Sequence, residues 1–213
     1  MLRYLILLLI FILPLTASAT AQEPDTIVIN NQLLPLNTNP LDKHIKVVGW
    51  EPPEEASIWS SNWRGYIAKW EIEAGNLILK EASILLKGGT FKNQKRQSIV
   101  GELFPKNKKV IAIWYSGALI VPDGEMTNYI HMGYGSSYES YQVLRIHKGI
   151  VIEHLTFTSQ QFEIYKERKF QNFKETKKFQ EELSQFTTGE DQWTEEDALD
   201  YMQSAYAEYY LSI

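Results

Sequence analysis

From Tyr66 to Glu73 the chain alternates strictly in character. Tyr66, Ala68, Trp70 and Ile72 interleave with Ile67, Lys69, Glu71 and Glu73, so an extended strand turns one apolar face to a core and a mostly charged face to water. Ala74-Gly75 then serves as a two-residue turn. Leu77 falls opposite Ile72 and Leu79 opposite Trp70, which continues the apolar face across both strands and fixes their register. Two more hairpins follow from the same reasoning. Thr26 to Ile29 is a β-branched run that turns at Asn30-Asn31 toward Leu33-Leu34, and Tyr141–His147 and Ile150–Phe157 flank Lys148-Gly149. Val110 to Tyr115 predicts an aromatic strand with Gly117 to Val121 as its hairpin partner, closed by a turn at Pro122-Asp123-Gly124. Ile99 to Phe104 fits a short strand or a helical turn. Residues 37–62 and the polar stretch from Lys87 to Arg96 read as connections.

Beyond residue 157 the period changes. Thr158 or Ser159 can cap a helix running to about Phe186, with Phe162, Tyr165, Phe170, Phe173 and Phe179 as its apolar members. Gly189 separates it from a second helix, which Thr194 opens ahead of Glu195, Glu196 and Asp197; Leu199, Met202, Tyr206 and Tyr209 form its apolar stripe. The expected fold is α+β: an antiparallel β-hairpin sheet body at 22–157, followed by C-terminal helices at 158–213, packed on that body or extending from it.

The first 21 residues have the pattern of a cleavable export signal. Arg3 supplies the basic start, Tyr4 to Leu13 is a run without charge, Pro14 breaks it, and two small-x-small frames follow, ending at Ala19 and Ala21. The rival reading is an uncleaved anchor, but the apolar character ends near Leu15, short of the roughly 20 residues a spanning helix needs. The expected product is exported, periplasmic or secreted, soluble, and without a membrane span once the signal is removed. The chain has no cysteine. Disulfides, lipidated cysteines, thiolate zinc sites and cysteine nucleophiles are therefore excluded, and the core alone must hold the fold.

With 21 basic and 26 acidic side chains the net charge is −5. This balance lacks the basic footprint that phosphate backbones require, so no nucleic-acid partner is expected. His147 and His154 fall on one face of the third hairpin, roughly 13 Å apart along the strand, too far to share a metal. No metal site and no cofactor is expected.

The segment from Asn128 to Glu139 concentrates His131, Tyr129, Tyr134, Tyr138, two glycines, two serines and Glu139 in twelve residues. It suits either a binding loop, with His131 and Glu139 as an acid–base pair, or a tight connection whose tyrosines cover the core. Ser136 or Ser137 beside His131 lacks any nucleophile-elbow pattern. Trp50, Trp59 and Trp63 lie on or beside an irregular connection, where rings either stack on a ligand or lid the core. Arg64 is suited to clamp a carboxylate or to pair with one of the body's own acids. The binding candidates are Trp63, Arg64, Tyr129, His131, Tyr134 and Tyr138; the catalytic candidates are His131 and Glu139.

Trp63-Arg64-Gly65-Tyr66, opening a strand, and His131-Met132-Gly133-Tyr134, in a later loop, resemble paired segments of a family of uncharacterised bacterial proteins. The likeness spans about residues 26–180 and implies a bacterial source and a common fold, with no activity to carry over. Three functions compete. The first is a non-enzymatic protein that binds a partner protein or cell-envelope ligand through its aromatic loops. The second is a hydrolase using His131 and Glu139. The third is a structural or inhibitory protein acting through the charged tail, where Lys166, Arg168, Lys169, Lys174, Lys177 and Lys178 interleave with glutamates.

Overall fold

Three two-residue turns organise the sheet. Asn30-Asn31, Ala74-Gly75 and Lys148-Gly149 each hold both central residues at positive φ, the geometry whose twist matches paired antiparallel strands. The computed structural model describes residues 21–88, 95–189 and 192–213. The apolar segment Tyr4 to Leu13, everything before Ala21 in the two cleavage frames, and most of the polar stretch after Lys87 lie outside the described residues.

The turns join β1 (Asp25–Ile29) to β2 (Gln32–Leu36), β3 (Ile67–Glu73) to β4 (Asn76–Leu85), and β8 (Ser137–His147) to β9 (Ile150–Thr158). Ile72 pairs with Leu77 and Trp70 with Leu79, and a bulge beside Trp70 leaves Lys80 unopposed. Its ammonium reaches Glu71 at 2.9 Å on the charged face. With β7 (Gly117–Asn128) the strands run β2-β1-β3-β4-β9-β8-β7, while β5 (Arg96–Ser98) and β6 (Val110–Ile111) pair with β4 off this path. Among the strands of the described residues only β1 and β3 pair in parallel. The ends of the path come together: the Asn37 N–H, just past β2, donates to the Ile120 carbonyl of β7 at 2.8 Å.

Strand alternation in β7 and β8 serves two cores. Leu119, Val121, Leu144 and Ile146 join Trp70, Tyr66, Ile27 and Tyr115 inside the curled sheet. Ala118, Ile120, Tyr141 and Val143 face the other way, onto Phe162, Phe170, Phe173, Phe179, Met202 and Tyr210 of the tail. The fold is α+β, a mostly antiparallel sheet with C-terminal helices, and among the described residues no helix is long and apolar enough to cross a membrane.

Four elements differ from the sequence reading. The connection 37–62 contains a short helix, α1 (Asp42–Val48), which Gly49 ends in the left-handed conformation. The strand expected at Val110–Tyr115 shrinks to two residues paired with β4, and Gly117–Val121 pairs with β8 instead. Pro122-Asp123-Gly124 is a bulged continuation of β7, not a turn, since Pro122 pairs with Tyr141 and Met126 with Tyr138. The expected helix to Phe186 is two, α3 (Ser159–Lys174) and α4 (Lys177–Thr188), because the Thr176 hydroxyl accepts the Phe179 N–H and starts a new N-terminus. Thr158 forms a full capping box with Gln161 at the head of α3. Val100–Leu103 is the helical turn α2, and α5 (Glu195–Ala205) and α6 (Ala207–Tyr210) end the chain. In α6 it is Tyr210, not Tyr209, that is fully buried.

Candidate functional site

Along β1 the buried positions are Asp25, Ile27 and Ile29, so the strand's own period drives a carboxylate into the core. A buried charge must be met by donors. Asp25 Oδ1 accepts from Arg64 and from the Ala68 N–H, each at 3.0 Å, and Oδ2 accepts from the Trp70 indole N–H at 3.1 Å. The second terminal nitrogen of Arg64 donates to the Glu23 carbonyl at 3.0 Å, and the guanidinium lies 4.9 Å from the Tyr66 ring centre. The Tyr66 hydroxyl donates to Asp42, and that of Tyr134 donates to Asn39 at 2.9 Å.

The electrostatics follow from this enclosure. Burial raises the Asp25 carboxyl above its ordinary range, against the pull of Arg64 and the two other N–H donors. Burial opposes the Arg64 charge, yet Asp25, Tyr134 and Tyr66 outweigh that penalty and hold the pKa above its usual value. Tyr134 is pushed up to about 12, chiefly by burial, and Tyr66 is raised well above 10, by burial and then by Asp25 and Asp42. Three donors thus converge on Asp25, and its closest charged partner is Arg64 at 3.0 Å.

Two loops build the walls. In the first, tight turns at Trp59–Asn62 and Asn62–Gly65 lead into β3. Gly65 has φ +74° and a Cβ there would stand 2.5 Å from Pro52 Cγ, so only glycine passes. The Asn62 amide and Arg64 Nε are buried without a hydrogen-bond partner among the described residues, a place where ordered water is expected. In the second loop Gly133 turns at φ +51°, and Ser136 Oγ accepts the Ile130 N–H at 3.1 Å.

The start of the described chain ties the loops together. The Gln22 N–H donates to the Gly133 carbonyl at 3.0 Å, the Gln22 side-chain amide to the Ser60 carbonyl at 2.7 Å, and the Glu23 N–H to the Ser61 carbonyl at 2.7 Å. Residues 21–25 thus form a strap lying between the two segments that sequence analysis singled out.

The candidates divide accordingly. Arg64 and Tyr134 turn inward and meet at the ion pair, with Arg64 engaged by the body's own Asp25. Trp63, Met132 and Tyr129 turn outward, at 65%, 64% and 55% exposure. His131 is exposed and sits edge-on to Tyr129, ring centres 5.3 Å apart. Tyr138 belongs elsewhere: it lies edge-on to Tyr141 on the tail side of the sheet. Glu139 accepts the Glu125 N–H at 3.0 Å within the bulged stretch of β7. Among the described residues no hydrogen bond joins it to His131, and Ser136 is bonded to its own loop. Trp50 and Trp59 are half-buried, and the Trp50 indole donates to Glu102 at 3.1 Å. No group of three His, Asp or Glu side chains among the described residues could hold a metal. An open groove of about 940 Å³ runs between Trp50, Glu54, Glu55, Lys87 and Glu102, and none of the outward rim residues lines it.

Sequence reasoning missed Asp25 and Asp42. The alternation of β1 would have turned Asp25 inward, but no local feature ties it to Arg64, 39 residues away. No family model, curated protein or solved structure matches the chain, so the likeness carried by Trp63–Tyr66 and His131–Tyr134 brings no activity and no residue role.

Proposed function

We propose that the chain is an exported, non-enzymatic binding protein of the cell envelope whose contact surface is the outward side of the two aromatic loops. One observation carries this reading: Trp63, Tyr129 and Met132 are exposed on loops that a buried ion pair and a backbone strap hold in fixed positions. Large rings are costly to leave in water, and a pre-positioned loop loses little entropy on binding. The separate partners of His131 and Glu139 favour binding over hydrolysis. The test is site-specific photo-crosslinking in intact cells, with the reactive residue at position 129 or, as a control, at the exposed Glu196 of the tail. Adducts at 129 that disappear on Trp63→Ser are expected. Adducts at 196 and none at 129 would move the function to the tail helices.

A further inference from the structure

The outward loops share a property that narrows the partner. Residues 57–63 and 126–138 contain no Asp, Glu, Lys or Arg, in a chain whose charged fraction is 22%. Removing the loops' own side chains from water therefore strips no ion of its hydration, the largest cost an interface can incur, and the strap between them adds only the half-buried Glu23 and the buried Asp25. What they expose is apolar or amphipathic: Ile58, Trp63, Tyr129, Ile130 and Met132. Trp and Tyr, with a flat ring and one polar tip, are the side chains that settle at the boundary between lipid tails and headgroups.

The second observation is where the chain enters the fold. Ala21 forms a bridge with Gly133, the neighbour of Met132, and Gln22 and Glu23 bond to Ser60 and Ser61. Leu15, the end of the apolar N-terminal run, is six residues earlier, a reach of roughly 20 Å at full extension. While that run occupies a bilayer, the entry point and the loops beside it are confined to the bilayer surface. The apolar loops thus lie beside the point at which an N-terminal run held in a bilayer would bring the described residues to its surface.

Resting on the reading of these loops as the contact surface, we infer that their partner is the interface of a neutral or zwitterionic lipid bilayer, into which Trp63, Tyr129 and Met132 insert. The absence of basic residues from both loops, with a net charge of −5, leaves no electrostatic attraction to anionic headgroups.

The protein recovered from the exported fraction, its first residue fixed by N-terminal sequencing, is floated with vesicles of phosphatidylcholine alone and with vesicles carrying added anionic phospholipid. Flotation with the neutral vesicles is expected, not strengthened by anionic lipid, and weakened roughly tenfold or more in the Trp63→Ser/Met132→Ser variant. Both positions are exposed, so an unchanged melting temperature confirms that the variant is folded. Failure to float, dependence on anionic lipid, or unchanged flotation of the variant would overturn the inference. If the N-terminal run is retained, flotation is replaced by quenching with brominated phosphatidylcholine. Quenching lost on Trp63→Phe supports insertion, and quenching unaffected by it refutes insertion. A protein adduct in the cellular crosslinking without vesicle binding sinks the lipid assignment and leaves the loops as contact surface; neither signal removes both.

Discussion

Asp25 and Arg64 meet at 3.0 Å with 0% and 2% of their side chains exposed, so each is the other's substitute for water. Removing one partner strands a buried charge. Arg64→Met is expected to cost about 3–5 kcal/mol in urea unfolding. The double variant Asp25→Asn/Arg64→Met should recover part of that loss, and additive losses would show that the two residues act separately. Arg64→Lys should rescue poorly, because one ammonium cannot serve Asp25 and the Glu23 carbonyl in the same fork.

Glu208 of α6 pairs with Lys43 of α1 at 3.2 Å and sits beside Tyr115, joining tail to body. Burial raises its pKa above the ordinary 4.5, with Lys43 pulling it back. The folded state therefore holds the proton more tightly than the unfolded chain does. The stability this contributes is fully present below the unfolded pKa and is lost as pH rises through the folded one. Glu208→Gln should flatten that part of the profile, measured as melting temperature from mildly acid to neutral pH. An identical profile in the variant would exclude Glu208 as the titrating group.

Tyr134→Phe deletes the hydrogen bond to Asn39 and leaves the ring in place. A loss of about 1 kcal/mol is expected. The same change should speed hydrogen exchange at the Gln22 amide, whose acceptor is Gly133 one residue away. Faster exchange spread evenly over the sheet would mean that the loop is not separately held by Tyr134.

Ala74 occupies the left-handed region at φ +48°, where a Cβ is disfavoured and asparagine is tolerated. Ala74→Asn should stabilise the β3–β4 hairpin by about 0.5–1 kcal/mol in urea unfolding. A loss of stability would mean that the turn relaxes out of this geometry.

What the sequence makes legible is what is local. The hairpins at Asn30-Asn31, Ala74-Gly75 and Lys148-Gly149 form because turn chemistry and alternation agree within a dozen residues. The apolar members of α3 and α4 are buried where their spacing put them, although the break at Thr176 depends on a hydroxyl that also reads as an ordinary helix-surface residue. Pro122-Asp123-Gly124 has turn chemistry yet continues a strand: Pro122 and Asp123 keep register with Tyr141 and Ser140, and the irregularity is absorbed as a bulge between Asp123 and Met126. The site divides the same way. Exposure of Trp63 and Tyr129 on loops follows from their irregular surroundings, whereas the Asp25–Arg64 pair and the strap at 21–25 exist only through contacts made across the fold.

The paired strands β7 and β8 are a shared wall between two cores, so the tail is not an appendage. A chain ending at Thr158 would present Ala118, Ile120, Tyr141 and Val143 to water as a bare apolar sheet. Such a truncation is expected to aggregate or to recruit foreign surface, and a loss of binding in it would report exposed wall, not a missing recognition helix. Exchanges confined to the outer side of α4, such as Lys177→Ser with Glu181→Ser at a solvent-facing ion pair, leave the wall covered and isolate what the tail contributes.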